Sequence, residues 1–242
     1  MPTPLRWILS LIFIVQMYLM MAILAVLFAI PSLISRNMAF AGVHTYCNWV
    51  RWSAAILIGL RSEIRGPVPQ TEVIIAAKHQ SFFDIILLCS VLPRPKFIMK
   101  RELIWAPIVG QYALRIGCVP VDRGRRGAAI SKMKEDVQKG TAQPGQLVIY
   151  PQGTRVAPGV TMPYKMGTGL LYGQLGQTCV PAATNVGVFW PRHGILRKPG
   201  LAVMEFLPPV APGMPVPDFM RLIETQIETA STRLMTDAGW RP

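Results

Sequence analysis

His79 and Asp84 stand five residues apart in the run His79-Gln80-Ser81-Phe82-Phe83-Asp84, directly after an apolar stretch at 72–77. An imidazole beside a carboxylate can take a proton from a hydroxyl: the acid holds one ring nitrogen while the other faces the substrate. Five residues along a helix turn through about 140°, so the two groups share no helical face. The pairing requires His79 in a loop after a strand and Asp84 in the first turn of the following helix. Taken alone, the spacing equally fits a loop histidine and an aspartate that complements a helix dipole.

Three further segments continue the pattern. Gly117-Cys118-Val119-Pro120-Val121-Asp122-Arg123-Gly124 reads as a strand ending in an arginine. A guanidinium fork suits a phosphate monoester, and the neighbouring glycine allows close backbone approach. Arg125 and Arg126 follow at once, so a solvated basic loop is the alternative. Tyr150-Pro151-Gln152-Gly153-Thr154-Arg155 is again a strand running into a turn that presents an arginine, with Gln152 and Thr154 as neutral hydrogen-bonding groups. The alternative is an ordinary loop with Arg155 exposed. Val180-Pro181-Ala182-Ala183-Thr184-Asn185 is apolar with a proline and reads as a pocket wall or as a buried strand end.

The elements that must position these residues are legible as short apolar strands alternating with helices. Strands are expected at 72–77, 96–99, 118–121, 146–150, 179–183 and 201–207, and helices at 82–91, 103–116, 128–139, 167–175 and 218–236. Such alternation predicts an α/β domain with a mostly parallel or mixed sheet flanked by helices. Ligands in such folds bind beyond the carboxyl ends of the strands, where all four segments place their polar residues. Gly167-Thr168-Gly169 with Gly173 lacks the spacing of a dinucleotide fingerprint and follows no strand. No Gly-x-Ser-x-Gly elbow occurs, which disfavours a serine hydrolase.

Ahead of this domain lies a different kind of sequence. Residues 8–30 carry no charge, a length suited to a bilayer crossing and too long for the apolar core of a signal peptide. A second apolar stretch at 38–60 is interrupted by His44, Asn48 and Arg51 and carries Tyr46, Trp49 and Trp52, the mixture favoured at a membrane–water interface. A two-spanning hairpin and a pair of helices dipping into one leaflet both fit. His44 reads as an interfacial or packing residue. The chain therefore divides into an N-terminal two-helix membrane module at 1–65 and a catalytic domain at 66–242.

Composition agrees with membrane placement. Hydrophobic residues make up 51% and charged residues 15% of the 242, and the net charge of +13 calls for an anionic partner. Between Arg94 and Arg126 eight basic residues face two acidic ones. This patch adjoins the membrane-like segment and has few aromatics among it, which favours phosphate at a membrane over nucleic acid. Cys47, Cys89, Cys118 and Cys179 are widely spaced and read as buried thiols, with neither a disulfide framework nor a zinc site. No metal is required.

In this order the four segments resemble those of the glycerolipid acyltransferase family, and in particular its bacterial members. His79 and Asp84 match the family's H-x4-D block, and Gly117 to Arg123 resembles the block that ends in a phosphate-binding arginine. Tyr150 to Arg155 is similar to Phe-Pro-Glu-Gly-Thr-Arg, and Val180-Pro181-Ala182 to the proline-containing fourth block; the likeness covers about 72 to 207. It implies transfer of a fatty acyl group from acyl-CoA or acyl-carrier protein to the 2-hydroxyl of lysophosphatidic acid, giving phosphatidic acid, with no cofactor. By the same likeness His79 and Asp84 are catalytic, Arg123 and Arg155 with Lys100 hold the phosphate, and Gln152, Gly153, Thr154 and Pro181 line the acceptor pocket. The implied location is a bacterial inner membrane with the catalytic domain on the cytoplasmic side. Gln152 departs from the family's glutamate, which leaves another lyso-lipid acceptor, such as a lyso-ornithine lipid, as an alternative. A non-catalytic protein that binds anionic lipid is the other.

Overall fold

In the computed structural model, which describes residues 3–121 and 144–241, seven strands form one sheet in the order β1-β7-β6-β2-β5-β3-β4. They are β1 (Leu60–Arg65), β2 (Val73–Ala77), β3 (Pro95–Lys100), β4 (Val119–Val121), β5 (Gln146–Ile149), β6 (Cys179–Thr184) and β7 (Gly200–Phe206). Every pairing is parallel except β6 with β7. Strands β2, β5, β3 and β6 thus end at one edge of the sheet, and the loops that leave it carry the chemistry.

β2 is central because all five of its residues can be buried on both faces. Val73, Ile75 and Ala77 face one core with the helices α3 (Arg36–Ile58) and α4 (Phe83–Val91). Ile74 and Ala76 face the other with α6 (Gly167–Leu175) and the C-terminal helix α7 (Val216–Asp237). In α7, Phe219, Ile223, Ile227, Ala230 and Leu234 recur at helical spacing and are buried, so one stripe of this helix covers the sheet.

Two expectations need correction. The division at residue 65 is misplaced: Leu60–Arg65 is an edge strand in register with Gly200 to Glu205 of β7. Its three charges hide it from hydropathy, and its pairing with a segment about 140 residues away is a tertiary fact. Gly59 sets the boundary, ending α3 in the left-handed conformation at φ 68°. The single helix expected at 103–116 is broken at Pro107, which lacks the N–H that an unbroken helix needs. The chain makes one 3-10 turn, Arg101–Trp105, and then α5, Val109–Arg115. The helix expected at 128–139 lies outside the described residues.

Among the described residues one helix, α1 (Thr3–Leu27), is long and apolar enough to cross a membrane. The short α2 (Ala29–Ile34) turns the chain into α3. Along α1, Phe13 meets the edge of Trp190 at 5.5 Å, and Ser10 Oγ accepts from the Arg197 backbone N–H. Gln16 donates to Ser53 and accepts from Trp49, while the Ala25 carbonyl accepts from the Tyr112 hydroxyl. His44 contacts the Leu92 carbonyl at 2.9 Å, a packing role, and Arg51 donates to Ser62 and Ser90. α3 is thereby part of the α/β body.

Candidate active site

β2 delivers His79 to the sheet edge, and α4 begins four residues later with Asp84 in its first turn. Ser81 Oγ accepts the Phe83 N–H, which helps to start the helix. The histidine is therefore in the loop and the aspartate in the helix, the arrangement that the five-residue spacing demands. His79 Nδ1 lies 3.1 Å from Asp84 Oδ2. The same oxygen accepts the backbone N–H groups of Gln80 and Ser81, each at 2.7 Å. Asp84 is fully buried, and its Oδ1 has no hydrogen-bond partner among the described residues.

The imidazole stacks on Tyr150 with ring centroids 3.8 Å apart and planes 15° from parallel. Asp84 holds the ring at its Nδ1 edge and Tyr150 covers its face, which fixes the direction of the other nitrogen. The Tyr150 hydroxyl is buried without a hydrogen-bond partner among the described residues. Burial, with the Asp84 charge nearby, pushes its pKa well above the usual phenol value, so it stays protonated. An unpartnered buried hydroxyl is destabilising by about 1–3 kcal/mol. Tyr150→Phe, which keeps the stack and removes that hydroxyl, is expected to leave turnover within about threefold and to hold or raise the melting temperature. Tyr150→Ala, which removes the stack, should lower kcat. Parallel melting curves and kcat measurements on the two variants check this.

The loop after β5 is tied to the same place. Val156 N–H donates to the His79 carbonyl at 2.8 Å, which sets the preceding residue, Arg155, beside the histidine. Gly153 turns the loop at φ 70°, a conformation suited to glycine. Thr154 is half-buried in the turn. Gln152 is buried, and its amide nitrogen donates to the Met162 carbonyl at 3.2 Å. A glutamate here would set an acceptor against an acceptor, so the amide suits the local loop geometry and need not report on the ligand. Lys100 ends β3 at the same sheet edge and is exposed. Pro181 is buried within β6, paired with Ala76, as part of the sheet floor. Arg123 lies outside the described residues.

Arg192 and Lys165, which the sequence did not single out, join Arg155. Arg155 and Arg192 donate to each other's backbone carbonyls at 3.3 and 3.2 Å, which ties their two loops together. Lys165 crosses the same turn: a Cβ on Gly153 would come within 2.8 Å of its ammonium nitrogen. Among the described residues no carboxylate pairs with Arg155, Arg192 or Lys165. Behind them, buried Lys78 bridges to Glu228 of α7 at 2.6 Å, and Tyr164 donates to the same carboxylate at 2.8 Å. This ion pair fixes Tyr164, and with it the neighbouring Lys165, relative to the end of β2. Pro163 and Gly167, which bracket Lys165, are the one local sign of a shaped turn there. His193 is exposed on the adjoining loop. No group of metal-ligating residues occurs among the described residues.

A histidine steered by a buried acid, beside a cluster of cations at the carboxyl edge of a largely parallel sheet, is equipped to activate a hydroxyl on an anionic substrate. Residues 60–185, more than half of the chain, match the model of the Acyltransferase family. The chain belongs to that family. It is similar to the 1-acyl-sn-glycerol-3-phosphate acyltransferase of Pseudomonas aeruginosa, with 26% identity over 160 residues, 65% of this chain and 62% of that protein. To the human 1-acyl-sn-glycerol-3-phosphate acyltransferase alpha it is 33% identical over 159 residues, covering 64% of this chain and 56% of the relative. The match thus spans about three-fifths of these relatives. Its fold is that of the 1-acyl-sn-glycerophosphate acyltransferase PlsC of Thermotoga maritima, with a TM-score of 0.78 and 18% identity over 97% of this chain and 99% of that one.

Proposed function

We propose that this protein transfers a fatty acyl group from an acyl thioester, acyl-CoA or acyl-carrier protein, to the 2-hydroxyl of 1-acyl-glycerol-3-phosphate, giving phosphatidic acid. The observation that carries this reading is the His79 ring, held by Asp84 and tethered through Val156 next to Arg155. The names of the relatives support the choice of acceptor.

In this mechanism the nitrogen of His79 turned away from Asp84 takes the proton from the acceptor hydroxyl as its oxygen attacks the thioester carbonyl. Asp84 stabilises the imidazolium so formed. When the tetrahedral intermediate collapses, the carbon–sulfur bond breaks and the sulfur leaves with the proton from His79. The products are the ester and a free thiol, with no net change at the histidine. Arg155 and Arg192, with Lys165 alongside, hold the acceptor phosphate, joined by Lys100 and Arg123 in the reading from sequence. Tyr150 keeps the ring in plane with its two tasks.

The protein works at a membrane surface. Its location in this reading is the cytoplasmic face of a bacterial inner membrane, where thioester donors are found. α1 lies along one leaflet rather than across the bilayer. Its contacts at Ser10, Phe13 and Ala25 all go to the same α/β body, although 15 residues of helix extend about 22 Å. A crossing helix would pull that body into the hydrocarbon. Its other face presents Ile8, Leu11, Ile12, Val15 and Leu19, an apolar stripe available to lipid.

The test is thiol release from acyl-CoA with purified protein and a panel of acceptors. Release with lysophosphatidic acid and not with lyso-ornithine lipid or lysophosphatidylcholine is expected. Release with lyso-ornithine lipid alone replaces the acceptor, and release with no acceptor leaves an anionic-lipid-binding protein. Arg155→Ala is expected to raise the KM for lysophosphatidic acid by about tenfold or more, in line with loss of a charge-assisted contact of 1.5–3 kcal/mol, and to change the KM for acyl-CoA little. Equal increases for both substrates count against the phosphate role.

A further inference from the structure

Between β3 and α5 the chain carries an apolar surface that the mechanism does not use. None of the residues of the Arg101–Trp105 turn is buried. Trp105 is 84% exposed, more than any other large apolar side chain described, and Leu103, Val109 and Leu114 are exposed beside it. The turn is held firmly. A side chain at Gly110 would run into the Ile104 carbonyl at 2.1 Å, and Ile108 takes φ 66°, the one positive φ outside glycine among the described residues. An indole displayed this openly on a fixed turn has a large apolar body that gains from leaving water.

Its surroundings identify what it meets. Lys100 and Arg101 are exposed on one side of it, with Glu102 as the nearby acid in sequence. On the other side α5 is bonded to the bend between α1 and α3. Arg115 donates to the Ser32 and Leu33 carbonyls, Arg36 donates to the Arg115 carbonyl, and Tyr112 donates to that of Ala25. That bend presents Ile30, Leu33 and Ile34, 71–81% exposed. The apolar surface of the α1–α2 bend therefore continues onto the catalytic body, and it does so at the sheet edge where β3 ends and His79 opens. Tryptophan with aliphatic neighbours and flanking cations is the composition that a headgroup–acyl boundary selects. A protein partner would have to avoid the lipid already bound by the adjoining bend.

We propose that the Arg101–Trp105 turn and α5 form a second membrane-contact surface, on the catalytic body itself. Trp105, Leu103 and Val109 enter the boundary region of an anionic phospholipid leaflet, while Lys100 and Arg101 meet its phosphates. This rests on the in-plane placement of α1 and goes beyond it. It fixes the rotation of the molecule on the leaflet, so that the carboxyl edge of the sheet faces lipid and a lyso-lipid reaches His79 without its acyl chain passing through water.

Site-directed spin labelling tests it. The four native cysteines are buried, and burial raises the Cys118 and Cys179 thiols to about 12, so an introduced surface thiol is labelled selectively. Trp105→Cys, Val15→Cys on the open face of α1 and Asp218→Cys at the start of α7 are each labelled in the full chain. The samples are reconstituted in vesicles of phosphatidylethanolamine and phosphatidylglycerol. The label at 105 is expected to behave like that at 15, relaxed by oxygen and shielded from an aqueous nickel complex, while the label at 218 is open to nickel. A label at 105 as accessible to nickel as that at 218, with 15 still shielded, overturns the second contact and leaves the placement of α1 standing. Nickel access at both 15 and 105 overturns both.

Discussion

His79→Ala is expected to lower kcat by about 10²–10⁴-fold, the usual worth of a positioned general base, with little change in either KM. The geometry makes this a clean experiment. The imidazole is partly exposed and its one hydrogen-bond partner among the described residues is Asp84 Oδ2, which keeps two backbone donors when the ring is gone. The turn into α4 therefore stays satisfied, and the melting temperature should move little. The cationic cluster of Arg155, Arg192 and Lys165 is built from other loops, so acceptor binding should persist. Turnover by the purified alanine variant equal to that of the parent would remove His79 from the reaction. A collapse in melting temperature would instead make the ring a structural residue.

The placement of His79 beside Asp84 was legible because its spacing and its flanks are both local. The apolar run at 73–77 gives the strand, a run opening on two phenylalanines gives the helix, and the five-residue separation sets one residue in each context. β1 was illegible because Leu60–Arg65 alternates with Arg61, Glu63 and Arg65 and becomes a strand through β7. The cationic cluster was legible only at Arg155. Arg192 lies 37 residues further on and reaches it through a loop, and Lys165 is placed by an ion pair whose partners, Lys78 and Glu228, are 150 residues apart. Hydropathy described α1 as apolar, and a spanning helix and an in-plane helix have the same composition. The contacts of Ser10, Phe13 and Ala25 with one body are tertiary and lie outside what composition registers. Gln152 shows the reverse case: the sequence registers a lost charge, and the loop reveals an amide that needs its N–H for Met162.

Asp84→Asn is the second large effect, and it separates steering from folding. Asp84 Oδ2, on a side chain closed to solvent, is the common acceptor for His79 Nδ1 and for the N–H groups of Gln80 and Ser81. An asparagine oxygen can still accept from the two backbone groups, so the turn forms. Replacing charge-assisted bonds by neutral ones should destabilise the protein by about 1–3 kcal/mol. The neutral amide gives no stabilisation to an imidazolium, so kcat is expected to fall by about 10²–10⁴-fold. Asp84→Ala goes further: it leaves two N–H groups at the start of α4 without their acceptor, and it should unfold at a distinctly lower temperature than the asparagine variant. Kinetics and melting curves on both give a sharp pattern, with similar losses of turnover and unequal losses of stability. An asparagine variant that keeps parental kcat would mean that the carboxylate merely caps α4 and that some other group orients the ring.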